Sequence, residues 1–133
     1  MTARRAECSC GQLTVAVEGE PVRISMCHCL ACQRRTGSAF GMQARFPEEQ
    51  VRIEGRSTEY VRTSDEDDGV AHTFSFCPGC GATVHYRSSD RPGLVAVPIG
   101  AFADPGFPQP TVSVYGSRRY PWLPLPDGLE EYG

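Results

Sequence analysis

Lysine is missing from this chain: all 13 basic residues are arginine. A uniform bias of this kind reads as a coding preference. With 16 acids against 13 bases the formal charge is -3. Nucleic-acid binding needs a basic surface to neutralise phosphates, so no nucleic-acid partner is expected. Long hydrophobic runs are missing as well. No stretch approaches the ~18 apolar residues of a membrane span. The opening Met1-Thr2-Ala3-Arg4-Arg5-Ala6-Glu7 lacks the apolar centre of a secretory signal. A cytoplasmic protein with no membrane partner is therefore expected. Uninterrupted helix-forming stretches are scarce too: 14 Gly and 11 Pro cut the 133 residues into short pieces. That points to a mainly β fold of many strands and turns, in a single domain over residues 1–133, long enough to bury a core.

What the chain does have is clustered thiols. Its seven cysteines fall into three groups: Cys8 and Cys10, then Cys27, Cys29 and Cys32, then Cys77 and Cys80. Disulfides are rare in a reducing compartment, and seven is an odd number, so the clusters read as metal-binding or redox sites.

Turn residues and apolar alternation place strands at Leu13–Val17, Pro21–Met26, Ala39–Phe46, Val51–Ile53, Thr58–Thr63, Val70–Phe76, Ala82–Arg87, Leu94–Ile99 and Thr111–Tyr115. The apolar run Leu94–Ile99 should be central. Cys29–Thr36 reads as a short helical turn stopped by Gly37. Ser64–Gly69 is an acidic, solvated loop, and the Pro- and aromatic-rich tail Arg118–Gly133 should pack as coil. Cys77-Pro78-Gly79-Cys80 then sits at a hairpin tip.

Zinc recruits thiolates in C-x-C and C-x-x-C turns, which place two sulfurs on one ion. Seven thiols divide as four plus three. Joining Cys8 and Cys10 to Cys77 and Cys80 gives a closed structural site that staples distant parts of the chain. Cys27, Cys29 and Cys32 then form a site with one position open. A pairing in which the triplet borrows a thiol from an outer pair is the alternative. His28 lies between two ligands and in extended chain points away from them. His72 and His85 read as core or surface residues, with His85 the histidine to test first as a further ligand. A three-thiolate ion with an open position suits one chemistry: holding an incoming thiol as a nucleophilic thiolate.

The motifs Cys8-Ser9-Cys10-Gly11, Cys27-His28-Cys29-Leu30-Ala31-Cys32 followed by Thr36-Gly37-Ser38, and Phe76-Cys77-Pro78-Gly79-Cys80-Gly81 occur in an order that resembles the glutathione-dependent formaldehyde-activating enzyme family, which includes centromere-protein-V relatives. The ending Arg118-Arg119-Tyr120-Pro121-Trp122-Leu123 with Asp127-Gly128-Leu129 is similar to that family's ending. The resemblance implies a β-tent-type zinc-binding fold of small antiparallel sheets. It implies two Zn2+ ions: a structural one on Cys8, Cys10, Cys77 and Cys80, and an active-site one on Cys27, Cys29 and Cys32. It also implies a carbon-sulfur lyase resembling S-(hydroxymethyl)glutathione synthase, whose partners are a glutathione-like thiol and formaldehyde or another small aldehyde. Arg34, Arg35 and Arg45, close after the triplet, are candidates for pairing with the thiol's carboxylates. Thr36 and Ser38 are candidate donors or helix-end residues. Two other readings compete: a non-catalytic zinc-binding module that recruits a protein through Tyr120, Trp122 and Tyr132, and a thiol redox sensor.

Overall fold

Residues alternate along most of these strands, and the alternation decides what each face packs against. The computed structural model describes residues 2–65 and 68–133; Met1 and the two acids Glu66 and Asp67 of the expected acidic loop lie outside the described residues. The strands are β1 (Ala3–Glu7), β2 (Thr14–Glu18), β3 (Arg23–Cys27), β4 (Gly41–Pro47), β5 (Val51–Glu54), β6 (Thr58–Thr63), β7 (Ala71–Phe76), β8 (Thr83–Ser88), β9 (Leu94–Pro98), β10 (Val112–Val114) and β11 (Glu130–Glu131). One short helix, α1 (Leu30–Thr36), follows β3. The mainly β expectation holds. No described helix is long and apolar enough to cross a membrane.

Two sheets form. A three-stranded sheet has the order β1-β2-β5, and an eight-stranded sheet the order β11-β10-β3-β4-β9-β8-β7-β6. Strand β9 is interior, as its apolar run predicts. Ala6, Val15 and Val17 from the small sheet, with Leu13 just before β2, meet Ile24, Ala44, Phe46, Val95 and Val97 from the large one, all buried in one core. The large sheet is mixed: β10 runs parallel to both β3 and β11.

The tail is irregular over residues 119–129, as expected, and departs from coil only at its end. Glu130–Glu131 joins the sheet edge through backbone bonds alone, Glu130 N to Thr111 O at 3.0 Å and Tyr132 N to Ser113 O at 2.8 Å. Two exposed glutamates carry no apolar alternation, so nothing in the sequence marks them. Strand β1 is likewise unmarked, because only Ala6 of its five residues is buried.

One register irregularity sorts side chains between the core and the opposite face of the large sheet. Ser75 pairs with His85 and Phe76 with Thr83, which leaves Val84 without a partner across the β7–β8 hairpin. This bulge turns Val84 into the two-sheet core while Tyr86, two residues on, packs with Phe74 and Ala96 in a separate cluster.

Gly55, between β5 and β6, has φ +102°, and a Cβ there would lie 2.2 Å from the Gln12 carbonyl oxygen. Gly55→Ala is expected to cost at least ~1 kcal/mol. Thermal unfolding should show its Tm several degrees below wild type; an unchanged Tm would contradict this packing.

Candidate metal centres and the arginine-lined cavity

Two knuckles build the first thiol group. Cys8 leaves β1, and Cys77 leaves β7 at the hairpin tip. Each folds back with the same bond, Cys8 N to Leu13 O and Cys77 N to Ala82 O, both at 3.0 Å. The sulfurs of Cys8, Cys10, Cys77 and Cys80 all lie within 4.8 Å of one another. Cys8 and Cys10 are 3.6 Å apart, and Cys10 and Cys77 3.7 Å. Zn–S bonds of ~2.3 Å in a tetrahedron give an edge of roughly 3.8 Å, so the spacing and the donor set fit a thiolate-bound ion such as Zn2+. N–H groups already point at the sulfurs: Leu13 N to Cys8 and Gly79 N to Cys77, both at 3.3 Å, and Gln12 Nε2 to Cys77 at 3.0 Å. The Gln12 amide, more than any other neighbour, draws the Cys77 thiol down to about 6. Gln12 is itself fixed by Arg56, accepting from its N at 2.9 Å and donating to its carbonyl at 2.7 Å.

Cys27, Cys29 and Cys32 form the second group, again within 4.8 Å. Cys27 ends β3, Cys29 caps α1 and Cys32 lies inside it. The capping bond is Cys32 N to Cys29 Sγ at 3.3 Å, and Gly37 closes the helix in a left-handed conformation, as expected. Three crowded thiols do not ionise together. Its hydrogen bond to Cys29 pushes Cys27 up, while bonds from Cys27 and Cys29, with the Arg35 guanidinium beside it, draw Cys32 down to about 3. A divalent cation among three sulfurs relieves that conflict. The thiols are thus grouped four and three, and no histidine joins either group among the described residues.

His28 does point away from the triplet: it is buried with Nε2 2.9 Å from Ser113 Oγ. His85 lies outside both groups and outside the cavity beside the triplet, which corrects its selection as the histidine to test first. His72 is the histidine that lines this cavity, its Nδ1 2.8 Å from Ser88 Oγ.

The triplet forms part of the lining of a cavity of about 390 Å³, which five arginines also line: Arg23, Arg35, Arg45, Arg62 and Arg91. Among the described residues none of the five forms an ion pair with an acid. Strand alternation explains the placement. Ile24, Ala44 and Phe46 face the core, so Arg23, Ser25, Gln43 and Arg45 face the cavity. The register sets Arg23 directly opposite Arg45 and Ser25 opposite Gln43, and Gln43 Nε2 donates to Ser25 Oγ at 2.7 Å. Burial, then repulsion from Arg91 and Arg45, holds the Arg23 guanidinium below its usual range.

Arg35 reaches Cys32 because residue 41 has no side chain: a Cβ on Gly41 would meet Arg35 Nη2 at 3.2 Å and Cys32 Cβ at 3.4 Å. Its guanidinium lies 5.0 Å from the Phe74 ring centroid and 5.3 Å from that of Tyr86. Tyr86 is buried against this cavity, and burial pushes its hydroxyl up to about 12, so it stays protonated.

The polar neighbours expected around the triplet separate into three groups. Arg35 and Arg45 line the triplet's cavity. Arg34 does not; it borders the two neighbouring cavities. Thr36 donates to the Cys32 carbonyl at 2.8 Å and accepts from Ser38 N at 3.2 Å, which makes both helix-end residues. Tyr120 and Trp122 stack edge to face on the surface beside Leu30 and Ser38, outside the triplet's cavity.

A family model described as glutathione-dependent formaldehyde-activating enzyme matches residues 3–118, a span that holds all seven cysteines and all five cavity arginines. The chain belongs to this family. Among solved structures, a Rhodobacter sphaeroides protein from a structural-genomics programme is similar over 73% of this chain and 85% of its own, at 20% identity and a TM-score of 0.54. That likeness is one of fold. A comparison with curated proteins gives no match.

Metal analysis is expected to find two equivalents per chain. Cys77→Ser should lose about one and lower the Tm by several degrees, because it opens the staple. Cys29→Ser should lose about one with a smaller change in Tm, since its three ligands are local. Equal Tm losses would contradict the division of roles.

Proposed function

We propose that this member of the formaldehyde-activating family is a zinc-dependent carbon-sulfur lyase-type enzyme, similar to S-(hydroxymethyl)glutathione synthase, that joins a glutathione-like thiol to formaldehyde or another small aldehyde. One observation carries the reading: a three-thiol group, with no fourth protein donor among the described residues, lines a cavity with five arginines and one acid, Asp90, and none of the five arginines is ion-paired to an acid among the described residues. A Zn2+ ion held by Cys27, Cys29 and Cys32 would supply a soft cation that keeps an incoming thiol ionised at neutral pH.

The chain's own residues supply the rest. Arg23, Arg45 and Arg91 stand together and bind the thiol's carboxylates, because no acid among the described residues pairs with them. Arg35 keeps positive charge beside Cys32, where the sulfur arrives. When the sulfur adds to the aldehyde carbon, the C=O π bond opens and the oxygen takes a proton. Tyr86 Oη is the neutral donor that lines the cavity, and its burial keeps it protonated. The proton lost by the thiol returns through solvent, so thiol plus aldehyde gives a hemithioacetal with no redox change.

Exchange NMR on formaldehyde and glutathione tests this. Wild type should accelerate adduct formation. Arg45→Gln should raise KM for the thiol by about tenfold or more, and Tyr86→Phe should lower kcat by roughly 10²-fold, both with two metals retained. If Cys29→Ser kept full adduct formation, the proposal would fail.

A further inference from the structure

A second cavity, of about 510 Å³, adjoins the first, and its lining is more apolar. Phe74, Phe76, Tyr60, Ala31 and Thr83 make half of its lining, and Arg34, Arg35 and Arg62 stand among them. Four residues belong to both cavities: Cys32, Arg35, Arg62 and Phe74. A carbonyl carbon held at Cys32 therefore has an arginine-ringed chamber on one side and an aromatic one on the other. Formaldehyde has no substituent to place in the second chamber.

We propose that this apolar cavity holds the organic substituent of the aldehyde, and that the carbonyl substrate carries a group of branched-alkyl or phenyl size. The inference rests on the thiol-aldehyde reading above and specifies its second substrate. The partition between the chambers is the Arg35 side chain. Its guanidinium is held over Phe74 and Tyr86 by ring contacts, its buried Nε has no hydrogen-bond partner, and among the described residues it has no ion pair with an acid. The thiol's charged groups take the side with five arginines, Arg23, Arg45 and Arg91 among them, rather than the side where Phe74, Phe76 and Tyr60 stand beside Arg34, Arg35 and Arg62. The aldehyde substituent takes the aromatic side, where Phe74 is buried and Tyr60 is exposed at the rim. The reaction is unchanged: a C–S bond forms, the C=O π bond breaks, and the oxygen is protonated.

The test uses the metal-loaded chain, glutathione, and two probes, benzaldehyde and formaldehyde. Saturation-transfer NMR without thiol should show benzaldehyde contacting the protein. Exchange NMR should show an acceleration over the uncatalysed reaction about tenfold larger for benzaldehyde, the value of burying a ring-sized group. Thr83→Phe, which fills the cavity, should lower benzaldehyde acceleration about tenfold relative to formaldehyde. Tyr60→Ala, at an exposed rim position that leaves folding intact, should shift the same ratio in the same direction. Equal acceleration of both aldehydes, or an unchanged ratio in both variants, overturns the cavity assignment and leaves the thiol-aldehyde reading standing. Acceleration of neither aldehyde overturns that reading and this one with it.

Discussion

The sulfurs of Cys10 and Cys77 are 3.7 Å apart although 67 positions separate them in the chain. Everything distinctive about the site depends on that contact. Closing so long a loop removes about 4 kcal/mol of unfolded-chain entropy by loop-closure scaling, so an ion held there would staple the start of the chain to the β7–β8 hairpin. Such an ion would use up both outer thiol pairs and leave Cys27, Cys29 and Cys32 with no fourth sulfur. The open position follows from the closed one.

The same hairpin shapes the cavity. Its bulge at Val84 lets one side chain complete the core and sends Tyr86 to the opposite face. On β3 and β4 alternation does the equivalent work without a bulge, apolar residues facing the small sheet and Arg23, Ser25, Gln43 and Arg45 facing the cavity. Arg23 opposite Arg45 is a like-charge cross-strand pair, which disfavours the sheet by a few tenths of a kcal/mol or more. The protein tolerates this next to Gln43 and Ser25, both buried and polar. The carboxylate binding proposed for this cavity would give such a pair its use.

Much of this was legible in the sequence because the ligands are local. C-x-C and C-x-x-C turns state their geometry in a few residues, and Gly37 states where α1 stops. The cavity was less legible because its arginines come from β3, α1, β4, β6 and the turn after β8, where each looks like an ordinary exposed residue of its own strand, helix or turn. Arg34 and Arg35 show the difficulty on one turn of helix: neighbours on α1 point about 100° apart, so only Arg35 reaches the triplet's cavity. Tyr86 needed a bulge that no turn residue announces. Strand β11 needed only backbone bonds, which any sequence provides, and the Gln12 contact to Cys77 joins two motifs that are separated by 65 positions.

The absence of lysine acquires a local meaning in this cavity, whatever produced it. A lysine buried among three other cations loses its proton, and with it the charge an anion site requires. Arginine does not: Arg23 is depressed by burial and by Arg91 and Arg45, yet the guanidinium starts from so high a value that it stays charged. A deprotonated amine beside an aldehyde would also condense with it as a Schiff base. The guanidinium, delocalised and always protonated, offers no such nucleophile. In the proposed reaction of an anionic thiol with a free aldehyde, arginine would supply the charge of lysine without its reactivity, and the five that line this cavity would leave the sulfur as the group that adds to the carbonyl.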